Sequence, residues 1–135
     1  MNKAAFYLDN YIFEKINIDF SKKTTNDIDI SFDPKGIFNQ KKSEFKLIIV
    51  FSSKSGKSDQ NFVEIECHST FKFEENTSFS DIPTYFYRNS IAIIFPYIRA
   101  FIGSVTLQAN IPPIVLPTLN LSSLEVPLKE NTTQN

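Results

Sequence analysis

The sequence has few of the residues on which most catalytic and metal sites depend. It contains one cysteine, one histidine and three glycines. The single cysteine, Cys67, excludes an internal disulfide and is typical of a reducing compartment. One histidine and one cysteine do not make a zinc site, and the three glycines form no phosphate-binding loop. We therefore expect no metal ion and no cofactor.

The two residues with nucleophile and base chemistry, Cys67 and His68, are adjacent in a segment with the alternation of a strand. Their side chains should point to opposite faces of a sheet, so they cannot form a nucleophile–base pair. Carboxylate pairs two residues apart, such as Glu64 and Glu66, share a face, but a solvated sheet face explains them better than acid catalysis does. The sequence therefore does not predict an enzyme.

The charge balance is nearly neutral, with a formal net charge of −1. No basic stripe is present, so a nucleic-acid partner is not favoured. The longest apolar run, Ile91–Ile98, is interrupted by Pro96 and falls short of the ~20 residues that cross a membrane. The first residues reach Asp9 before an apolar run develops, which is not the pattern of a signal peptide. We expect a cytoplasmic protein without membrane insertion.

Length and composition fit one globular domain: 135 residues, of which 41% are hydrophobic and 21% charged. Up to Phe73 the pattern is that of strands, with polar and apolar residues alternating around Ile16 and Ile30. Glu44–Ser52 is apolar on both faces, which predicts a central strand covered on both sides. Strands followed by a helical segment predict an α+β fold with an antiparallel sheet of about four strands. We assign one domain to residues 1–128 and a disordered tail to residues 129–135.

The stretch from Phe95 to Leu121 is almost wholly apolar, and Arg99 is its only charge. Phe95-Pro96-Tyr97 has the pattern of a helix start, because proline at the first helical position lacks only a donor that would be unpaired there. Asn110 is a suitable left-handed stop, and the two prolines after it prevent continuation. One main helix followed by an extended, proline-rich strap is therefore expected.

More apolar surface is present in this part of the chain than one sheet face can cover. One interpretation places all of it in a monomer core. The interpretation that we favour is self-association through the helix with dyad symmetry. The residues predicted to form this interface recur at helical spacing: Ile94, Ile98, Ile102 and Val105.

These same residues carry a resemblance to a known family. Phe95-Pro96-Tyr97 with Arg99, an apolar helix, and the strap Leu116-Pro117-Thr118-Leu119-Asn120-Leu121 together resemble the signature of SecB-type export chaperones. The resemblance is strongest over Phe95–Leu124. It implies dimers of dimers, a homotetramer in which helices lie between sheets, and binding of unfolded polypeptides in apolar grooves.

The resemblance also implies two sites. The client groove would lie near the helix and the strap, and its candidate residues are Phe95, Tyr97, Phe101, Ile114, Leu116, Leu119 and Leu121. The export motor SecA would bind acidic residues on the outer sheet face, where Asp19 and Glu66 are the candidates. Lys15 and Glu64 depart from the pattern expected there, and no second long helix follows Leu124. These departures weaken the expectation of SecA binding more than that of the fold.

Two functions of different classes remain open. The first is a SecB-like holdase for secretory precursors, or for one unstable partner such as an antitoxin of a toxin–antitoxin–chaperone operon. The second is a homo-oligomeric structural module that uses the apolar strap only for assembly or for one fixed partner.

Overall fold

The computed structural model describes residues 5–112, 114, 116 and 121–135. Within these residues, five strands form one sheet in the order β1-β4-β3-β2-β5, and the first four strands pair antiparallel. The elements are β1 (Phe6–Ile18), β2 (Ile28–Asn39), β3 (Glu44–Ser55), β4 (Asn61–Phe73), α1 (Phe86–Gln108), α2 (Glu125–Glu130) and β5 (Thr132–Gln134). The predicted α+β fold with one main helix is confirmed, and a fifth strand makes the sheet mixed.

Strand β1 contains two irregularities in its pairing with β4, one between Leu8 and Asn10 and one between Phe13 and Lys15. Each shifts the register by one residue, as a β-bulge does. The residues that share the inner face of the sheet with buried β4 partners are therefore Phe6, Leu8, Tyr11, Phe13, Ile16 and Ile18. A strict two-residue alternation would have turned Tyr11 and Phe13 outward.

Helix α1 covers the inner face of the sheet and begins nine residues before Phe95. Phe86 at its start is fully buried, and its ring lies 4.8 Å from that of Phe6, 4.7 Å from that of Phe45 and 5.0 Å from that of Phe73. These edge-on and tilted contacts between aromatic rings are favourable beyond the area that they bury. The aromatic cluster fixes the first turn of the helix to the sheet.

The helix start predicted at Pro96 is wrong, because Pro96 lies inside α1. An internal proline removes one backbone hydrogen bond and costs about 3 kcal/mol. Pro96 has no N–H to donate to the carbonyl of Ala92. Both residues are exposed, so water can donate a hydrogen bond to that carbonyl instead. Buried Ile91 and Ile94 hold the preceding turns against the sheet. The predicted end is confirmed, since Asn110 has a φ of 62°.

The tail also differs from the prediction of disorder over residues 129–135. Leu128 of α2 is fully buried, and Thr132–Gln134 pairs parallel to β2. The N–H of Gly36 donates to the Asn131 carbonyl at 3.2 Å. Gly36 is required at this point, because a Cβ there would lie 2.3 Å from the Phe45 ring and 2.7 Å from the Thr132 hydroxyl. One buried leucine and a close backbone approach therefore order a segment whose composition is polar.

Candidate functional site

The face of α1 that packs against the sheet is closed to any other molecule. Ile94, Ile98 and Ile102 are 0%, 1% and 0% exposed in the single chain. Three of the four residues predicted to form the oligomer interface are therefore core residues, and Val105 is half-buried against the same core. The spacing identified an apolar stripe correctly, but the stripe is covered by the chain's own sheet.

The accessible apolar surface lies where α1 runs beside β1. The Tyr97 ring lies 4.7 Å from the Tyr11 ring, and the Phe101 ring stacks on the Phe13 ring at 3.9 Å. Tyr97 is 44% exposed and Tyr11 37% exposed. We call these four residues the aromatic ledge. The bulges of β1 create it, because they turn Tyr11 and Phe13 towards the helix layer.

The side of α1 that faces away from the sheet is apolar but nearly smooth. Its exposed residues at four-residue spacing, Ala92, Pro96, Ala100 and Ser104, have small side chains or a short ring. They are flanked by Ile93, which is 38% exposed. Small residues let another helix approach closely. We call this surface, Ala92 to Ser104, the flat face.

Helix α1 is long and apolar enough by composition to cross a membrane. Nine of its residues are buried in the fold, including Phe86, Ile91 and Ile98. Packing beneath the sheet accounts for that part of its hydrophobicity, so composition alone is weak support for a membrane span.

Much of the predicted client groove is core. Phe95, Ile114 and Leu116 are only 4%, 6% and 5% exposed. The strap begins under the end of α1, because the Ile114 N–H donates to the Thr106 hydroxyl at 3.0 Å, and that hydroxyl donates to the Ile102 carbonyl at 2.8 Å.

The remaining groove candidates have different positions. Tyr97 is exposed on the aromatic ledge, and Phe101 is half-buried there. Leu121 is half-buried in the short 3₁₀ turn Leu121–Leu124, and Leu119 lies outside the described residues. Since the buried candidates cannot contact a client without rearrangement, only Tyr97, Phe101 and Leu121 stay on the proposed surface.

A small cavity of about 260 Å³ opens beside the start of the strap. It lies between Ile28, Phe62, Ile111, Pro112 and Ile114, with Lys23 and Asn26 also lining it. This volume is below the ~300–1,000 Å³ typical of small-molecule sites. Its size and largely apolar lining suit a small apolar group rather than a cofactor.

The two acidic candidates are engaged within the chain. Asp19 caps the 3₁₀ turn Phe20–Lys22 and accepts hydrogen bonds from the Ser21 hydroxyl at 2.6 Å and the Ser21 N–H at 3.0 Å. These bonds to the charged form lower the pKa of Asp19. Glu66 lies 2.7 Å from His68 Nε2 on the outer sheet face. Lys15 is opposite Glu66 in the strand register, but its Nζ lies 3.3 Å from Glu64 Oε1. Asp19 Oδ2 also lies 3.9 Å from Lys22 Nζ, so a basic side chain adjoins each of the two acidic candidates.

Cys67 and His68 lie on opposite faces, as predicted. Cys67 is 2% exposed on the inner face, and burial raises the pKa of its thiol to about 11. A neutral, inaccessible thiol is a poor nucleophile. Within the described parts of the chain, no group of three or more histidine, cysteine, aspartate or glutamate residues could hold a metal ion.

Comparison with known proteins gives no matching family model. A curated relative, the uncharacterized protein MJ0357 of Methanocaldococcus jannaschii, is 26% identical over 141 aligned positions, which cover 98% of this chain and 90% of the relative. A solved structure, the SecB-like chaperone Rv1957 of Mycobacterium tuberculosis in complex with a ChAD peptide from the HigA1 antitoxin Rv1956, superposes with a TM-score of 0.68. Its sequence is only 16% identical, and the match covers 85% of this chain and 88% of that one. The sheet and its covering helix superpose on a SecB-like chaperone over most of both chains. This protein therefore has a SecB-like fold.

Proposed function

We propose that the protein is a SecB-like holdase that binds unfolded segments of a partner polypeptide and does not catalyse a reaction. The observation that carries this proposal is the aromatic ledge, an exposed apolar surface on a SecB-like fold. Monomeric soluble proteins seldom expose contiguous aromatic side chains without a use for them. Apolar burial is not sequence-specific, so such a surface suits unfolded chains.

The proposed client surface combines the ledge with the half-buried Leu121. Tyr97 and Tyr11 offer flat rings with polar tips, which can pack against apolar side chains while their hydroxyls stay hydrated. The four residues of the ledge include no histidine and no carboxylate, so binding there is expected to change little between pH 6 and 8.

The partner that we favour is a dedicated one, of the kind represented by an antitoxin, rather than SecA. The structurally similar Rv1957 is bound to an antitoxin peptide. The acids that would attract SecA are instead paired locally, Asp19 with Ser21 and Glu66 with His68. Opposite charges at the surface are screened over ~8 Å at physiological salt, so these two carboxylates would supply little steering. On this proposal the protein acts in the cytoplasm.

Self-association is the second part of the proposal. The buried stripe of α1 cannot provide the interface, so we place it on the flat face, from Ala92 to Ser104. Two copies related by a dyad would bring these small residues together. The flat face and the aromatic ledge are neighbouring surfaces of one helix, so an oligomer formed there would leave the ledge at its margin.

The test compares two tyrosines of similar exposure on different surfaces. Tyr97→Ser removes a ledge ring, and Tyr7→Ser removes a ring that is 58% exposed on the outer sheet face. Loss of one exposed aromatic contact should weaken binding of an unfolded protein by about 1–2 kcal/mol, or roughly 5–30-fold. Suppression of aggregation of a chemically unfolded protein, measured by light scattering, should therefore fall for Tyr97→Ser and not for Tyr7→Ser.

Circular dichroism melts of both variants provide the control for folding. Equal loss of suppression in the two variants would contradict the ledge as the binding surface. A wild-type protein that is oligomeric yet suppresses no aggregation would favour the alternative function, a structural module that uses its apolar surface only for assembly.

A further inference from the structure

The outer edge of β2, on the side away from β3, is paired with another strand over only part of its length. Strand β5 pairs with Gly36–Phe38, and among the residues that the structure describes no strand pairs with the outer edge of β2 from Ile28 to Lys35. Such an edge presents main-chain donors and acceptors to any extended chain. Pro34 lacks an N–H and separates the filled part from the open part.

The direction of the main-chain groups follows from the bonds to β5. The Gly36 N–H donates to the Asn131 carbonyl at 3.2 Å, and the Phe38 carbonyl accepts from the Asn135 N–H at 2.8 Å. Main-chain groups alternate in direction along a strand, and the pairing of β2 with β3 has no register shift. The N–H groups of Ile28, Ile30 and Phe32 therefore point to the same outer edge.

Strand β5 itself is short and polar. It has three residues, against the ~5–6 that are usual for strands, and its side chains are exposed or half-buried. Two side-chain bonds also hold it, since the Thr132 hydroxyl donates to the Leu128 carbonyl at 2.6 Å and the Gln134 amide donates to Gln40 at 3.0 Å on the surface. The buried anchor of this region, the Leu128 side chain, lies in α2, outside β5.

We propose that the outer edge of β2 accepts an extended segment of the unfolded partner as an added strand, and that β5 is a built-in competitor which the partner displaces. This inference rests on the holdase function proposed above. An edge that already pairs with the chain's own extended tail has the geometry for strand addition. When β5 leaves, the acceptor edge runs from Ile28 to Phe38 and is interrupted only at Pro34.

The chemistry of the edge specifies the added strand. Ile28, Ile30 and Phe32 are half-buried on the inner side, so every second residue of the incoming segment should be apolar. Asp29, Asp33 and Lys35 are exposed on the outer side, and Lys54 is opposite Asp29 on β3, so the intervening residues should be polar. The favoured segment is therefore extended and alternating, with an apolar inner face and a polar outer face.

A pair of proline variants in the full chain tests the competition. The Asn135 N–H points to β2, so by alternation that of Thr133 does too, while that of Gln134 points away. Thr133→Pro should release β5. Gln134→Pro places the same ring where no main-chain donor to β2 is lost, and it removes only the surface bond from the Gln134 amide to Gln40. With reduced, carboxymethylated α-lactalbumin as the unfolded probe, Thr133→Pro should bind on the order of tenfold more tightly, because the binding-competent state becomes dominant. Gln134→Pro should bind with an affinity much closer to that of the wild type than to that of Thr133→Pro.

Amide hydrogen exchange of the unmodified chain provides a measurement that needs no variant. The amides of Ile28, Ile30 and Phe32 should exchange fast alone and slowly with the probe bound, while those of Asp29 and Ser31, which face β3, stay slow in both states. Binding of the probe without protection of these edge amides, or equal affinity of both variants, would overturn the edge proposal and leave the holdase function standing. Failure of the probe to bind any form would overturn both.

Discussion

Both sides of helix α1 carry apolar residues, but the two sides have different roles in the fold. Towards the sheet, Ile94, Ile98 and Ile102 are almost fully buried. Away from it, Ala92 and Ala100 are exposed. The inner side uses large branched residues that fill space, whereas the outer side uses small residues that leave a smooth surface. The large residues of the helix therefore serve folding, and we propose that the small apolar residues of the flat face serve contact with another molecule.

The largest expected effect is on the inner side. Ile98→Asp places an unpaired carboxylate among buried aliphatic residues, and we expect it to destabilise the fold by at least about 3–5 kcal/mol. Urea unfolding followed by circular dichroism measures this loss. A variant that keeps wild-type stability while losing only its oligomeric state would mean that the inner side is an interface after all.

An intermediate effect is expected in the strap. Leu116→Ser deletes a side chain that is 5% exposed and should cost ~2–5 kcal/mol of stability. Leu107→Ser is the matched change at a residue that is 58% exposed on α1, and it should cost far less. Thermal melts of the pair make the comparison, and equal melting temperatures would return Leu116 to the client groove.

The smallest effect on stability is expected on the outer side of α1. Ala100→Asp should change the free energy of unfolding by less than about 1 kcal/mol, since the residue is exposed in the single chain. If the flat face joins two copies, the same change should dissociate them, because facing carboxylates across a dyad repel each other. Analytical ultracentrifugation of the folded variant at micromolar concentration gives the result. An unchanged oligomer would place the interface elsewhere.

The class of fold was readable from local pattern. The alternation around Ile30 and the apolar run through Ile49 lie in strands, as expected, and Asn110 ends the helix. What the pattern could not supply was the outcome of competition between local and long-range effects. Pro96 is a helix-start signal by itself, yet burial of Phe86 against the sheet extends the helix back through it.

The candidate site was harder to predict than the fold. Apolar spacing marks Ile98 as belonging to a stripe, but it does not say whether the chain or a partner covers that stripe. The ledge depends on bulges in β1 that turn Tyr11 and Phe13 inward. An assignment of faces by strict two-residue alternation places these two residues on the outer face and so misses the ledge. The clue that was available is the row of tyrosine and phenylalanine residues at the start of the chain, which sits in no regular alternation.

The strand order determines when each strand can pair while the chain is being synthesised. Strand β1 leaves the ribosome before the other strands, but among the described strands its only neighbour is β4. Phe6 therefore cannot pair until Phe73 has been synthesised. Strands β2, β3 and β4 are joined by short turns and can pair locally, whereas closing the long loop to β1 is entropically slow. We expect the ledge to be completed late, after α1 has emerged. A nascent copy of this protein would thus expose its own aromatic N-terminal strand for some time, and would itself resemble the unfolded chains that it is proposed to hold.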